Sequence, residues 1–131
     1  MMLNVTEAER GAWRVLRISG EMDLVSSPEV RQCVHDAVAA GCHDVVLDLS
    51  DVVFCDSSGV GVLIAARRLM RSCQGRLRLI LPGGGEVGGM SGQGGAAHVN
   101  KVLGALGVRR LFEVYADVYD ATEDDAQPIS A

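Results

Sequence analysis

The sequence predicts a single α/β domain with a mainly parallel, mixed sheet and crossover helices, in the order β-β-α-β-α-β-α-β-α. Three observations carry this. Short runs of β-formers alternate with apolar stripes at helical spacing, Gly or Pro punctuates most boundaries, and 131 residues hold about one core's worth of chain. Apolar residues make up 48% and charged residues 22%, which excludes wholesale disorder.

Leu3 to Glu7 and Trp13 to Ser19 read as two strands joined by a turn at Arg10-Gly11, with Gly20 ending the second. Ser26-Ser27-Pro28 reads as a helix start, with a Ser N-cap and Pro at the first helical position. Val30, Cys33, Val34, Ala37 and Val38 form its apolar stripe, and Gly41 closes it. Val45 to Leu49 is a central strand, and Val52-Val53-Phe54 leads into Cys55-Asp56-Ser57-Ser58-Gly59. A second helix is expected from Gly59 to Ser72, then a strand from Arg76 to Leu81 that stops at Pro82. Eight of residues 83–95 are Gly, too much backbone entropy to fix in a helix or strand, so a flexible loop is expected there. Helix resumes from Ala97 to Leu106, with Val99, Val102, Leu103 and Leu106 as its stripe. Leu111 to Tyr115 is a last strand, followed by a short acidic helix from Ala116 to Ala126. The domain is expected to span 1–126, with 83–95 as an insertion and 127–131 as a flexible tail.

The net charge is −5, and five acids without a base (Asp117, Asp120, Glu123, Asp124, Asp125) account for all of it. The body is neutral, so no long-range field attracts nucleic acid or an anionic membrane. Aromatic residues are too few for a base-stacking platform. The N-terminus MMLNVTEAER has acids where a signal peptide needs bases and an apolar run, and no window is long and apolar enough to span a membrane. A cytoplasmic protein with reduced thiols at Cys33, Cys42, Cys55 and Cys73 is expected. His35, His43 and His98 make no metal-ligand spacing with them, so no metal or cofactor is expected.

Two enzymatic readings are weak. Gly83, Gly85 and Gly88 spell G-x-G-x-x-G, but no helix opens at the motif and too little chain follows for a dinucleotide fold. A small hydrolase would need a base aimed at Ser57 or Ser58, and the G-x-S-x-G elbow is absent. The segment Asp56 to Gly61 has an ordinary reading as a strand-to-helix turn, with Ser as N-cap and Gly at the bend. Stepping along the following helix puts Val62, Ala65, Ala66, Leu69 and Cys73 on a core side. Val60 and Ile64 then fall on the outer side beside Arg67 and Arg71. Apolar residues there, next to two hydroxyls, suggest a docking patch.

The run Asp48-Leu49-Ser50, followed by Val53-Phe54-Cys55-Asp56-Ser57-Ser58-Gly59-Val60-Gly61-Val62-Leu63, resembles the signature of the STAS domain. More narrowly it resembles the bacterial anti-sigma factor antagonists. Gly20-Glu21-Met22-Asp23 is similar to the family's second motif, the turn after the second strand. The resemblance covers residues 3 to about 120 and departs from the family at the 83–95 insertion.

The resemblance implies a non-enzymatic partner switch without a cofactor. Its partner would be an anti-sigma factor that is itself a serine kinase of the histidine-kinase-like ATPase fold. Phosphorylation of Ser57, with Ser58 as the alternative, would release the complex, and a PP2C-type phosphatase would reset it. Gly20, Glu21, Asp23, Asp56, Ser57, Ser58, Gly59, Val60, Ile64 and Arg67 are the expected partner-contact residues. A STAS scaffold or sensor subunit that is never phosphorylated is the alternative within the family.

Overall fold

The computed structural model describes residues 3–81 and 95–122, the side chains of residues 95–97 excepted. Two expectations, the Gly-rich stretch through residue 94 and the tail beyond residue 122, lie outside the described residues. β1 (Leu3–Arg10) and β2 (Trp13–Met22) form an antiparallel hairpin. Gly11 supplies the positive φ, +63°, that its two-residue turn needs. There follow α1 (Ser27–Ala39), β3 (Asp44–Cys55), α2 (Ser57–Ser72), β4 (Arg76–Ile80) and α3 (Gly95–Ala105). A 3-10 turn (Arg109–Leu111), β5 (Glu113–Tyr115) and α4 (Val118–Ala121) complete the order, as expected apart from the added turn.

The strands lie in sequence order, β1-β2-β3-β4-β5, and every pairing after the first is parallel. Each crossover therefore steps in the same direction, and right-handed connection puts all three helices on one face. The main core follows from that: Leu16, Leu47 and Leu79 from the strands meet Val34 of α1, Leu63 of α2 and Leu103 of α3. The opposite face holds a smaller cluster of Trp13, Val15, Val46, Ile80, Tyr115 and Ala121, with α4 against it. Arg78 is buried there between the rings of Trp13 and Tyr115, donating to Glu113 (3.2 Å) and to the Ala121 carbonyl (3.1 Å).

Several boundaries differ from expectation. Gly20 does not end β2; the strand runs on to Met22 with Gly20 inside it at φ +103°. β3 is one strand of 12 residues, not a core run and a lead-in. Its register against β2 slips twice: Arg17 faces Asp48 but Ser19 faces Asp51, and Gly20 faces Val52 but Glu21 faces Phe54. Each slip puts an extra residue on β3, the mark of a β-bulge. Buried Asp48 organises the first, accepting from the Ser50 amide (3.0 Å) and hydroxyl (2.5 Å) and from Arg17 (3.4 Å). The second lets Val53 and Phe54 both face solvent between buried Val52 and Cys55. In α3, Val99 and Leu103 are buried as expected, but Leu106 lies past the helix end and is exposed. α4 has only four residues, Val118–Ala121, where a helix to Ala126 was expected.

Candidate functional site

The C-terminal ends of β2 and β3 place the expected motifs side by side. The peptide unit joining Cys55 to Asp56 is held on both sides: its N–H donates to the Met22 carbonyl (3.2 Å), and its C=O accepts from His98 Nε2 (3.1 Å). A carbonyl cannot donate, so Nε2 carries the proton in that contact. Asp56 then turns extended, at φ −106° and ψ −170°, and is the N-cap of α2. Its Oδ1 accepts from the amides of Ser58 (2.8 Å) and Gly59 (3.1 Å). This corrects the expected cap: Asp56 holds that position, and the helix starts at Ser57 rather than near Gly59. Ser57 is exposed in the first turn, and Ser58 is half-buried. The Asp56 carboxylate thus occupies two of the amides that the start of a helix otherwise leaves unpaired.

Gly59 is buried because β2 comes very close. A Cβ there would lie 2.7 Å from the Met22 carbonyl oxygen and 2.8 Å from Cys55 Sγ. The glycine thus serves close packing rather than the bend. Burial, and next the neighbouring Asp56 charge, push the Cys55 thiol up to about 11, which leaves it protonated and unreactive at neutral pH.

On the β2 side, Asp23 organises the turn into α1. Its Oδ1 accepts from the amides of Val25 (3.0 Å) and Ser26 (2.9 Å) and lies 2.8 Å from Ser26 Oγ. The cap of α1 is Ser26 and the helix starts at Ser27, one residue before the Pro28 start that was expected; the Ser26 side chain makes no capping bond and turns back to the Glu21 carbonyl instead. The Ser26 amide and then the Ser26 hydroxyl hold the Asp23 carboxyl below its ordinary 3.8. Glu21 sits across from Phe54, and its Oε1 is buried with no hydrogen-bond partner among the described residues.

Of the expected contact residues, the structure gathers Gly20, Glu21, Asp23, Asp56, Ser57, Ser58 and Gly59 at this end of the sheet. Val60 does not join them. It is 2% exposed and belongs to the main core with Leu63, Ala66 and Met70. Ile64 is half-buried and lines a groove between α1 and α2 with Arg31, His35 and Arg68. Arg67 is drawn toward the β5 side, donating to the Leu111 carbonyl (2.8 Å). Val62, Ala65, Leu69 and Cys73, expected as core, are only partly buried. The expected docking patch on the outer face of α2 is therefore not formed.

Other apolar residues are exposed in the segments that carry or adjoin the two motifs. Leu24 and Val25 in the turn after β2 are 73% and 87% exposed, and Val53 and Phe54 at the end of β3 are 60% and 40% exposed. Sequence reading missed these four and His98, whose ring stacks on Phe54 at 5.4 Å between centroids. A signal existed: Leu24-Val25 follows one motif in a turn, where apolar pairs find no core, and Val53-Phe54 opens the other as an adjacent apolar pair in a strand, where alternation alone would expose only one member. Among the described residues no group of three or more His, Cys, Asp or Glu could hold a metal ion. No helix of the described residues is long and apolar enough to cross a membrane.

The fold and this motif-bearing end define the class: the chain belongs to the STAS domain family, whose model matches residues 4–85. It is 36% identical over 74 residues to the anti-sigma F factor antagonist of Paenibacillus polymyxa, covering 56% of this chain and 55% of that protein. It is 35% identical over 63 residues to an anti-sigma-F factor antagonist of Mycobacterium tuberculosis, covering 48% of this chain and 52% of that one. The matches thus span little more than half of these relatives' length. Among solved structures, an anti-sigma factor antagonist from Mycobacterium paratuberculosis shares the fold with a TM-score of 0.72 at 22% identity, over 92% of this chain and 91% of that one. SpoIIAA, an anti-sigma factor antagonist solved in its unphosphorylated form, gives a TM-score of 0.52 at 26% identity over 62% of this chain and 74% of its own.

Proposed function

We propose that this protein is an anti-sigma factor antagonist of the partner-switching kind, a non-enzymatic cytoplasmic regulator. It binds an anti-sigma factor that is also a serine kinase, and it lets go when Ser57 is phosphorylated. A PP2C-type phosphatase restores the binding form. The STAS unit runs over 1–126, and 127–131 follow as a tail. The observation that carries this reading is one combination at the ends of β2 and β3: an exposed serine in the first turn of α2, exposed Leu24 and Val25 in the turn after β2, exposed Val53 and Phe54 at the end of β3, and the carboxylates of Glu21, Asp23 and Asp56. The apolar residues offer area that a partner can desolvate. The carboxylates give a reason for release. A phosphate brings a charge of about −1.5 to −2 beside Asp56, whose carboxylate already holds the Ser58 and Gly59 amides. Compensation would have to come from outside this cluster, and desolvating the added charge in a complex costs more than the contacts return.

The test is binding of an anti-sigma factor kinase from the same genome to the wild type and to Val25→Asp and Phe54→Asp variants. Both variants should stay folded, since their side chains are exposed, and should lose at least about tenfold in affinity. Undiminished binding by both would place the interface elsewhere. The second reading, a scaffold that is never phosphorylated, uses the same surface and differs only in leaving Ser57 unmodified.

A further inference from the structure

We propose that His98 is a positioning residue for this site, holding the Cys55–Asp56 peptide and, through it, the cap that presents Ser57. The antagonist reading gives the inference its functional meaning, but its geometry stands without a partner. One peptide plane carries both contacts: the Asp56 N–H to the Met22 carbonyl and the Cys55 C=O to His98 Nε2. The first comes from β2 and the second from the first half of α3. Together they set the rotation of the plane, and that rotation places the Asp56 carboxylate over the Ser58 and Gly59 amides. The imidazole does a second job. It stacks on Phe54 at an interplanar angle of 19°, so the exposed face of that ring is set by α3 as well. His98 is itself held: Val99 beside it and Leu103 one turn on are fully buried in the main core. A change in how α3 sits would therefore reach both the serine's helix turn and the apolar rim through one side chain.

Amide hydrogen exchange of the free protein, read residue by residue by NMR, tests this. His98→Ala and His98→Phe both lack the donor, and the second keeps an aromatic ring for Phe54. His98→Gln places a donor at a reach similar to that of Nε2. The expected result is exchange at the Asp56 amide about fivefold faster in the Ala and Phe variants and restored toward wild type by Gln, with the core amides of Ile18 and Leu47 unchanged. Wild-type exchange at Asp56 in His98→Ala would overturn the proposal. So would full protection in His98→Phe, or an equal acceleration at Ile18 and Leu47, which would mean only general destabilisation. None of these readouts needs an anti-sigma factor. Failure of the antagonist reading would show separately, as wild-type protein that binds no such factor.

Discussion

At Gly59 the constraint is space. A methyl group there would meet the backbone of Met22, which cannot withdraw without disturbing the bond that fixes Asp56. Gly59→Ala should therefore lower stability by about 1–3 kcal/mol in denaturant titration, although alanine is the better helix former. A neutral or stabilising result would mean β2 is not so close. Asp23 supplies a pH-dependent contribution. Its folded carboxyl is held below 3.8 by the Ser26 amide and hydroxyl, so the unfolded chain takes up the proton first on acidification. The stability it contributes is full above its unfolded value and is lost as pH falls through the lower, folded one. Wild type should melt above Asp23→Asn at about pH 6, and the gap should narrow as acidification protonates the folded carboxyl. A gap that persists in acid would assign the effect to something other than the carboxylate's charge.

At the scale of elements, α2 shows what periodicity leaves open. Val60, Val62, Leu63, Ile64, Ala65, Ala66, Leu69 and Met70 make the helix apolar almost all round, so several stripes fit the sequence equally well. The phase is chosen at its first turn, where Asp56 bonds to β2 and Gly59 packs against Met22 and Cys55. Those contacts turn Val60, Leu63, Ala66 and Met70 inward. They join residues remote in sequence, which a local pattern does not register. Leu63→Ala should cost about 2–5 kcal/mol, and Ile64→Ala distinctly less because Ile64 is only half-buried. The reverse ranking in thermal or chemical unfolding would mean that Ile64, and not Leu63, faces the core. The bulges of β3 were hidden for a related reason: a bulge is a relation between two strands, and Ser50 and Val53 look ordinary within their own. The element order and the hairpin were legible because β-former runs, Gly11 and Pro28 are local signals.

Over the whole molecule, sequential strand order sends three helices to one face and brings the ends of β2 and β3 together as the place where Ser57 is displayed. The adjacency of the two motifs comes from the parallel pairing of β2 with β3, and one by one they were legible as strand-end turns. The apolar rim was not, since its exposure depends on the second bulge and on the turn that Asp23 organises. In the proposed function Ser57 is the switch. The most direct measurement is intact mass of wild type, Ser57→Ala and Ser58→Ala after incubation with the anti-sigma factor kinase and ATP, followed by capture of the same kinase. Wild type and Ser58→Ala should each gain one phosphate and lose the partner, while Ser57→Ala gains none and keeps it. A phosphate on Ser57→Ala but not on Ser58→Ala, or a phosphorylated wild type that still holds its partner, would contradict the account.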